Sequence, residues 1–142
     1  MILPDTDVMI DILWQFPPAV SWLDSLGDER IVLPGFVIME LIQGCRNKAE
    51  QERVEHTLAG YAVAWPSPET CEDALSMFTR HYLSHGLGIL DALIGQMAVA
   101  LSLPLHTFNH KHYSALPNLK TIQPYDKPKR SDDHQTGSLP NA

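Results

Sequence analysis

The stretch 1-MILPDTDVMIDIL-13 passes from an apolar run, Ile2 and Leu3, through acid at Asp5 and Asp7 into a pattern in which Val8 and Ile12 recur at helical spacing. A strand formed by Ile2 and Leu3 delivers Asp5 to its carboxyl end, where open sheets of parallel strands place their ligand crevices. Asp7, just ahead of the apolar helical face, reads as the N-cap of the helix. Strand, acid and helix in thirteen residues set the pattern for the rest of the chain.

Moving outward, "AVSWLDSL" after the Pro17-Pro18 break reads as a second short helix, and "RIVLPG" as a strand followed by a turn. Pro34 fits the first turn of a helix that turns Val37, Ile38, Leu41 and Ile42 inward and leaves Glu40 on a different face. A polar-rich helix follows from about Lys48 to Leu58, then a short strand at "AVAW". Ser67 is placed as N-cap with Pro68 at the first helical position of a helix running to about Ser84. Gly86 and Gly88 interrupt it, and Leu90, Ile94, Met97 and Leu101 mark a buried helix entered at Asp91. "PLHTF" and "KTIQ" are the last two strands. Short β-like runs alternating with longer helical ones, without an internal repeat, specify an α/β domain with a mainly parallel sheet covered by helices.

The chain of 142 residues is one domain by size, large enough to bury roughly 68–70% of its unfolded surface without covalent staples. Its two cysteines, Cys45 and Cys71, lie far apart and form no C-x-x-C motif, which suits a reducing cytoplasm. Residues 1–5 carry no positive n-region, so no secretory signal is expected. The longest largely apolar stretch, Ile89 to Leu101, includes Asp91 and Gln96 and falls short of the roughly 18 residues of a membrane span. Seventeen acidic against ten basic residues give a formal net charge of −7, which disfavours broad attraction to phosphate backbones. From Asp126, "DKPKRSDDHQTGSLPNA" has one Leu as its only large apolar residue and balanced charge, so residues 126–142 are expected to form a disordered tail and residues 1–125 the folded, acidic body.

Three carboxylates stand out: Asp5 at a strand end, Glu40 in a largely apolar helix, and Asp91 at a helix start. A hard cation such as Mg²⁺ or Mn²⁺ draws on scattered Asp and Glu oxygens of this kind. Each also has an ordinary role open to it, Asp91 as a helix-start acid satisfying the dipole and Glu40 as a solvent-facing side chain. Taken in order, "LPDTDVMIDIL", "LPGFVIMELIQGC", "HGLGILDALIGQMAVA" and "LPLHTFNHKHYSALPNL" resemble the PIN-domain nucleases, most closely the VapC-type toxins of bacterial toxin–antitoxin pairs, over nearly all of residues 1–125.

The resemblance implies a PIN-like α/β/α sandwich. It makes Asp5, Glu40 and Asp91 the acidic cluster that binds Mg²⁺ or Mn²⁺ and activates water for RNA phosphodiester cleavage, and Thr6 the hydroxyl that follows the first acid. It further implies a cognate antitoxin and a homodimer. Two departures stand against the pattern. The family's further acid falls at Asn109, an amide in place of a carboxylate, and "LIGQMAVA" replaces a run of small residues.

Other readings compete. Asn109 favours a catalytically weak PIN-like module that holds RNA or protein, although burying several like charges together is costly unless a cation compensates. "DTDVM" also looks like the aspartyl-phosphate motif of haloacid dehalogenase-like phosphatases, but the only adjacent Asp pair, Asp132 and Asp133, lies in the tail. His81 and His85 at i, i+4, and His106, His110 and His112 near the last motif, raise a zinc site. No Glu adjoins His81 and no Cys lies near, so exposed helix and turn histidines are the expectation.

Overall fold

Every strand pairing among the described residues is parallel. The computed structural model describes residues 1–128. Leu3 and Pro4 of β1 (Leu3–Pro4) stand opposite Leu105 and His106 of β4 (Leu105–His106), which in turn pair with β5 (Thr121–Ile122). On the other side β2 (Val32–Pro34) pairs with β3 (Ala62–Ala64). The two groups are joined where Ile2 bridges Ile31: the Ile2 N–H donates to Arg30 O at 2.7 Å and Val32 N–H donates to Ile2 O at 2.9 Å. The resulting order is β3-β2-β1-β4-β5. The chain runs outward from β1 to β3, then restarts on the opposite side of β1, so the direction of winding reverses between β1 and β4.

The helices between these strands are α1 (Thr6–Leu13), α2 (Pro17–Ser25), α3 (Gly35–Gln43), α4 (Lys48–Leu58), α5 (Pro68–His85), α6 (Ile89–Leu101) and α7 (His110–Tyr113). Their starts follow from local chemistry: Asn47 Oδ1 accepts from Glu50 N–H at 2.9 Å, and Ser67 Oγ from Thr70 N–H at 3.1 Å with Pro68 opening α5. Gly86 at φ +65° ends α5, a left-handed position that suits a residue without Cβ. One core joins sheet and helices, with Leu3, Leu33 and Leu105 from the strands packed with Val8, Met9, Val37 and Ile94. Full burial of each such side chain is worth about 1.5–3 kcal/mol. Among the described residues no helix is long and apolar enough to cross a membrane.

The parallel α/β architecture agrees with the sequence pattern, with four local corrections. Asp5, not Asp7, is the N-cap of α1, because the strand stops at Pro4 and the helix begins at Thr6. The helix read as starting at Asp91 opens two residues earlier, and of its apolar set Leu101 is 42% exposed while Gln96 is buried. α7, only four residues long, was not anticipated. His106 is not a surface turn residue: it is buried in β4 with its ring 5.7 Å from Trp22. As to the expected tail, residues 129–142 lie outside the described residues. Its first three residues are described, and there Lys127 Nζ meets the buried Asp11 Oδ2 at 2.6 Å and sits 4.0 Å over the Phe108 ring, while Tyr125 Oη donates to the same oxygen at 2.7 Å.

Candidate functional site

In an open parallel sheet the crevice forms at the carboxyl ends of the strands that flank the reversal of winding. Here those strands are β1 and β4, and the residues that leave them are Asp5 and Thr107. Asp5 is locked to the neighbouring strand by its N–H, which donates to His106 O at 2.8 Å. Its carboxylate, 5% exposed, takes Thr6 N–H on Oδ1 at 2.8 Å and the Thr107 hydroxyl on Oδ2 at 2.9 Å. Cap of α1 and terminus of β1 are therefore the same residue.

Thr6 extends the network sideways: its hydroxyl donates to Glu40 Oε1 at 2.9 Å, tying α1 to α3. Asp7 Oδ1 takes Val8 N–H and Asp7 Oδ2 takes Phe108 N–H, each at 2.8 Å, so this acid fastens the turn after β4 to α1. Asp91 enters from α6, where its Oδ2 accepts from Gly88 N–H at 3.1 Å and lies 3.5 Å from His112 Nδ1. It thus fills the helix-start role while facing the other acids.

The electrostatics record how close these groups are. Burial pushes the Asp5 carboxyl above its usual range, against the Thr6 and Thr107 hydrogen bonds, and the Asp91 charge adds to the rise. Burial also raises Glu40, opposed by the Thr6 hydroxyl and reinforced by both Asp5 and Asp91. Asp7 is pushed up to about 6, first by burial and then by Asp5, with Phe108 N–H and Lys127 acting the other way. The Tyr113 phenol is raised far above its ordinary value by burial and by Asp5, Asp91 and Asp7. Elements distant in sequence therefore bring Asp5, Glu40 and Asp91 into one electrostatic neighbourhood.

Among the described residues, no three His, Cys, Asp or Glu side chains stand together as a ready cage for an ion. The acids are turned toward donors within the chain: Thr6, Thr107, Gly88 and His112. Their chemistry nonetheless fits a hard divalent cation, since the donors are anionic oxygens whose mutual repulsion a cation offsets. Asn109 is exposed at the head of α7, and its N–H donates to Thr107 Oγ1 at 3.0 Å.

Among the described residues the histidines join no group of three metal-ligating side chains. His81 and His85 lie side by side on α5 with ring centroids 5.3 Å apart, whereas His106 is buried against Trp22, His110 Nδ1 meets Thr121 Oγ1 at 2.7 Å and His112 faces Asp91. Sequence reasoning did not single out Thr107 or Tyr113 and treated Asp7 only as a cap. Thr107 carried a usable signal, a polar residue directly after an apolar strand end, the placement that marked Asp5; Tyr113 carried none.

A family model described as the PIN domain matches residues 2–116. Solved structures similar to the chain include a toxin–antitoxin complex from Klebsiella pneumoniae, at 21% identity over 89% of this chain and 100% of that one, TM-score 0.71. VapBC2 from Rickettsia felis, bound to a DNA fragment from its promoter, matches at 22% identity over 86% and 98%, TM-score 0.71. FitAcB from Neisseria gonorrhoeae matches at 22% identity over 87% and 98%, TM-score 0.69. These likenesses concern the fold. No curated protein matches the chain.

Proposed function

The chain belongs to the PIN-domain family, and from that premise we propose that it is a Mg²⁺- or Mn²⁺-dependent endoribonuclease, the VapC-type toxin of a toxin–antitoxin pair. The observation that carries this reading is the convergence of Asp5, Glu40 and Asp91 at the point where the winding of the sheet reverses. These three carboxylates would hold the cation. A bound divalent cation supplies an activated water and a hold on a phosphate oxygen, so no protein nucleophile is needed.

The chain's own residues orient the ligands in advance. Thr6 N–H and the Thr107 hydroxyl fix the two oxygens of Asp5, the Thr6 hydroxyl fixes one of Glu40, and Gly88 N–H fixes one of Asp91. Such outer contacts set ligand direction and basicity. Asp7 holds the Phe108 turn so that the ends of β1 and β4 stay together. Asn109, next to this turn, offers an amide carbonyl in place of a fourth carboxylate.

The acidic body, with its net charge of −7, suits a partner that brings a basic side chain to the cleft. The likeness to toxin–antitoxin complexes supports a cognate antitoxin as that partner and a homodimeric toxin, and free Cys45 and Cys71 accord with a cytoplasmic location. The test is cleavage of RNA by purified protein with Mg²⁺ or Mn²⁺. Asp5→Asn and Asp91→Asn should each lower the rate by at least about a hundredfold, and full activity in either variant removes that residue from the site.

A further inference from the structure

Tyr113 closes α7 with its side chain 2% exposed, and its hydroxyl is one of two buried side-chain polar atoms without a hydrogen-bond partner among the described residues. Its position depends on Gly95. A Cβ there would lie 2.5 Å from Leu116 Cδ1 and 3.5 Å from Tyr113 Cδ1, so the bare backbone lets the segment from α7 to Leu116 settle directly on α6. Gly95 is one helical turn beyond Asp91, and the Tyr113 ring lying against it carries its hydroxyl among the acids. Asp5, Asp91 and Asp7 all act on that hydroxyl, Asp5 the most, yet it makes no hydrogen bond to any of them.

A phenylalanine would fill the same space without leaving a buried O–H unsatisfied, and an unmade bond of that kind is destabilising. A phenol carries its proton at neutral pH, so it can act there as a donor. A buried donor that lies among carboxylates without a bond made to any of them is in place for an arrangement in which those acceptors move or gain charge.

We propose that Tyr113 is a positioning residue whose hydroxyl donates to Asp5 once the acidic centre holds its cation, fixing the carboxylate in its ligating direction. The inference rests on the reading of Asp5, Glu40 and Asp91 as cation ligands, not on RNA being the substrate. Contacts of this kind, one bond removed from the ion, typically change affinity 10- to 100-fold.

The test is Tyr113→Phe, followed by calorimetric titration with Mn²⁺ and by thermal unfolding without and with the ion. The expected result is a pair of opposite effects: unfolding without Mn²⁺ at the same or a higher temperature than the parent, and Mn²⁺ affinity weakened about tenfold. Unchanged Mn²⁺ affinity overturns the proposal. A variant less stable without the ion also overturns it, since that marks an ordinary packing role. If the parent takes up no Mn²⁺, the inference falls together with the cation reading. If the parent binds Mn²⁺ but cleaves no RNA, only the ribonuclease reading falls, and the Tyr113 result stands by itself.

Discussion

At the scale of single residues, Asp7 offers a direct measure of the repulsion in the site. Its pKa is raised to about 6 by burial and by Asp5, so folding favours the neutral form. The associated stability is fully present below the unfolded value near 4 and is lost as pH rises through about 6. Asp7→Asn keeps an acceptor for Phe108 N–H, gives up the one that Val8 N–H uses, and removes the charge. Urea unfolding at pH 7.5 should show the variant more stable by on the order of 1–2 kcal/mol, with the advantage shrinking as pH falls and gone only below about pH 4. A loss of stability at both values would mean that the charge itself holds the turn.

Asn109 poses the complementary question, since an added carboxylate several ångströms from the ion at an effective dielectric near 20 is worth on the order of 1 kcal/mol. Calorimetry of Asn109→Asp should show tighter Mn²⁺ binding; equal affinity would make residue 109 a turn residue only. Asp5 drew attention as an acid closing an apolar run, and it does end β1, while its role as the cap of α1 went unread. Asp7 was misplaced because capping acids at adjacent candidate positions look alike, and only the exact end of the strand decides between them. Tyr113 had no signature at all, since a lone tyrosine in "HKHYSAL" says nothing about which acids its hydroxyl will meet.

At the scale of elements, the contact of α7 with α6 is where packing and site meet. Gly95→Ala gains about 1 kcal/mol in helix propensity, but the new methyl would sit 2.5 Å from Leu116 Cδ1, a side chain itself only 4% exposed. Overpacking of this sort costs about 1–3 kcal/mol. Chemical denaturation should therefore show a net loss of about 1 kcal/mol, and Mn²⁺ affinity should fall as the Tyr113 ring is displaced; a stabilised variant with unchanged affinity would show that the contact is slack. The longer helices were readable from the sequence because their apolar residues repeat over several turns and Ser67-Pro68 marks a start. The strands are two or three residues long, too short to show alternation, and they were placed by being apolar and lying between helices. α7 spans one turn and has no periodicity to detect, so its existence depends on the Gly95 approach, a tertiary fact.

At the scale of the whole molecule, the order β3-β2-β1-β4-β5 puts the acids where the winding reverses, and the fold holds them together against their own repulsion. Asp5, Asp7 and Glu40 all have raised pKa values, so each favours folding less as pH rises through its folded value. The net charge of −7 adds general repulsion in the same direction. Glu50 opposes them: its Arg46 partner holds it below the usual range, so its contribution is lost only when pH falls through that lower value. Without divalent cation the unfolding temperature should accordingly rise as pH is lowered from 8 to about 5.5, following Asp7 at about 6, and fall again in stronger acid. A cation bound by the ionised acids stabilises the folded form by an amount that grows with the ratio of its concentration to its dissociation constant, and protons compete for the same oxygens. The gap in unfolding temperature with and without saturating Mn²⁺ should then be small at pH 5.5 and widen steadily to pH 8, and Asp5→Asn should close most of it. Scanning calorimetry across that range decides the point: a gap independent of pH, or one untouched by Asp5→Asn, would place any bound ion away from these carboxylates and leave their convergence as a cost of the fold without the cation to offset it.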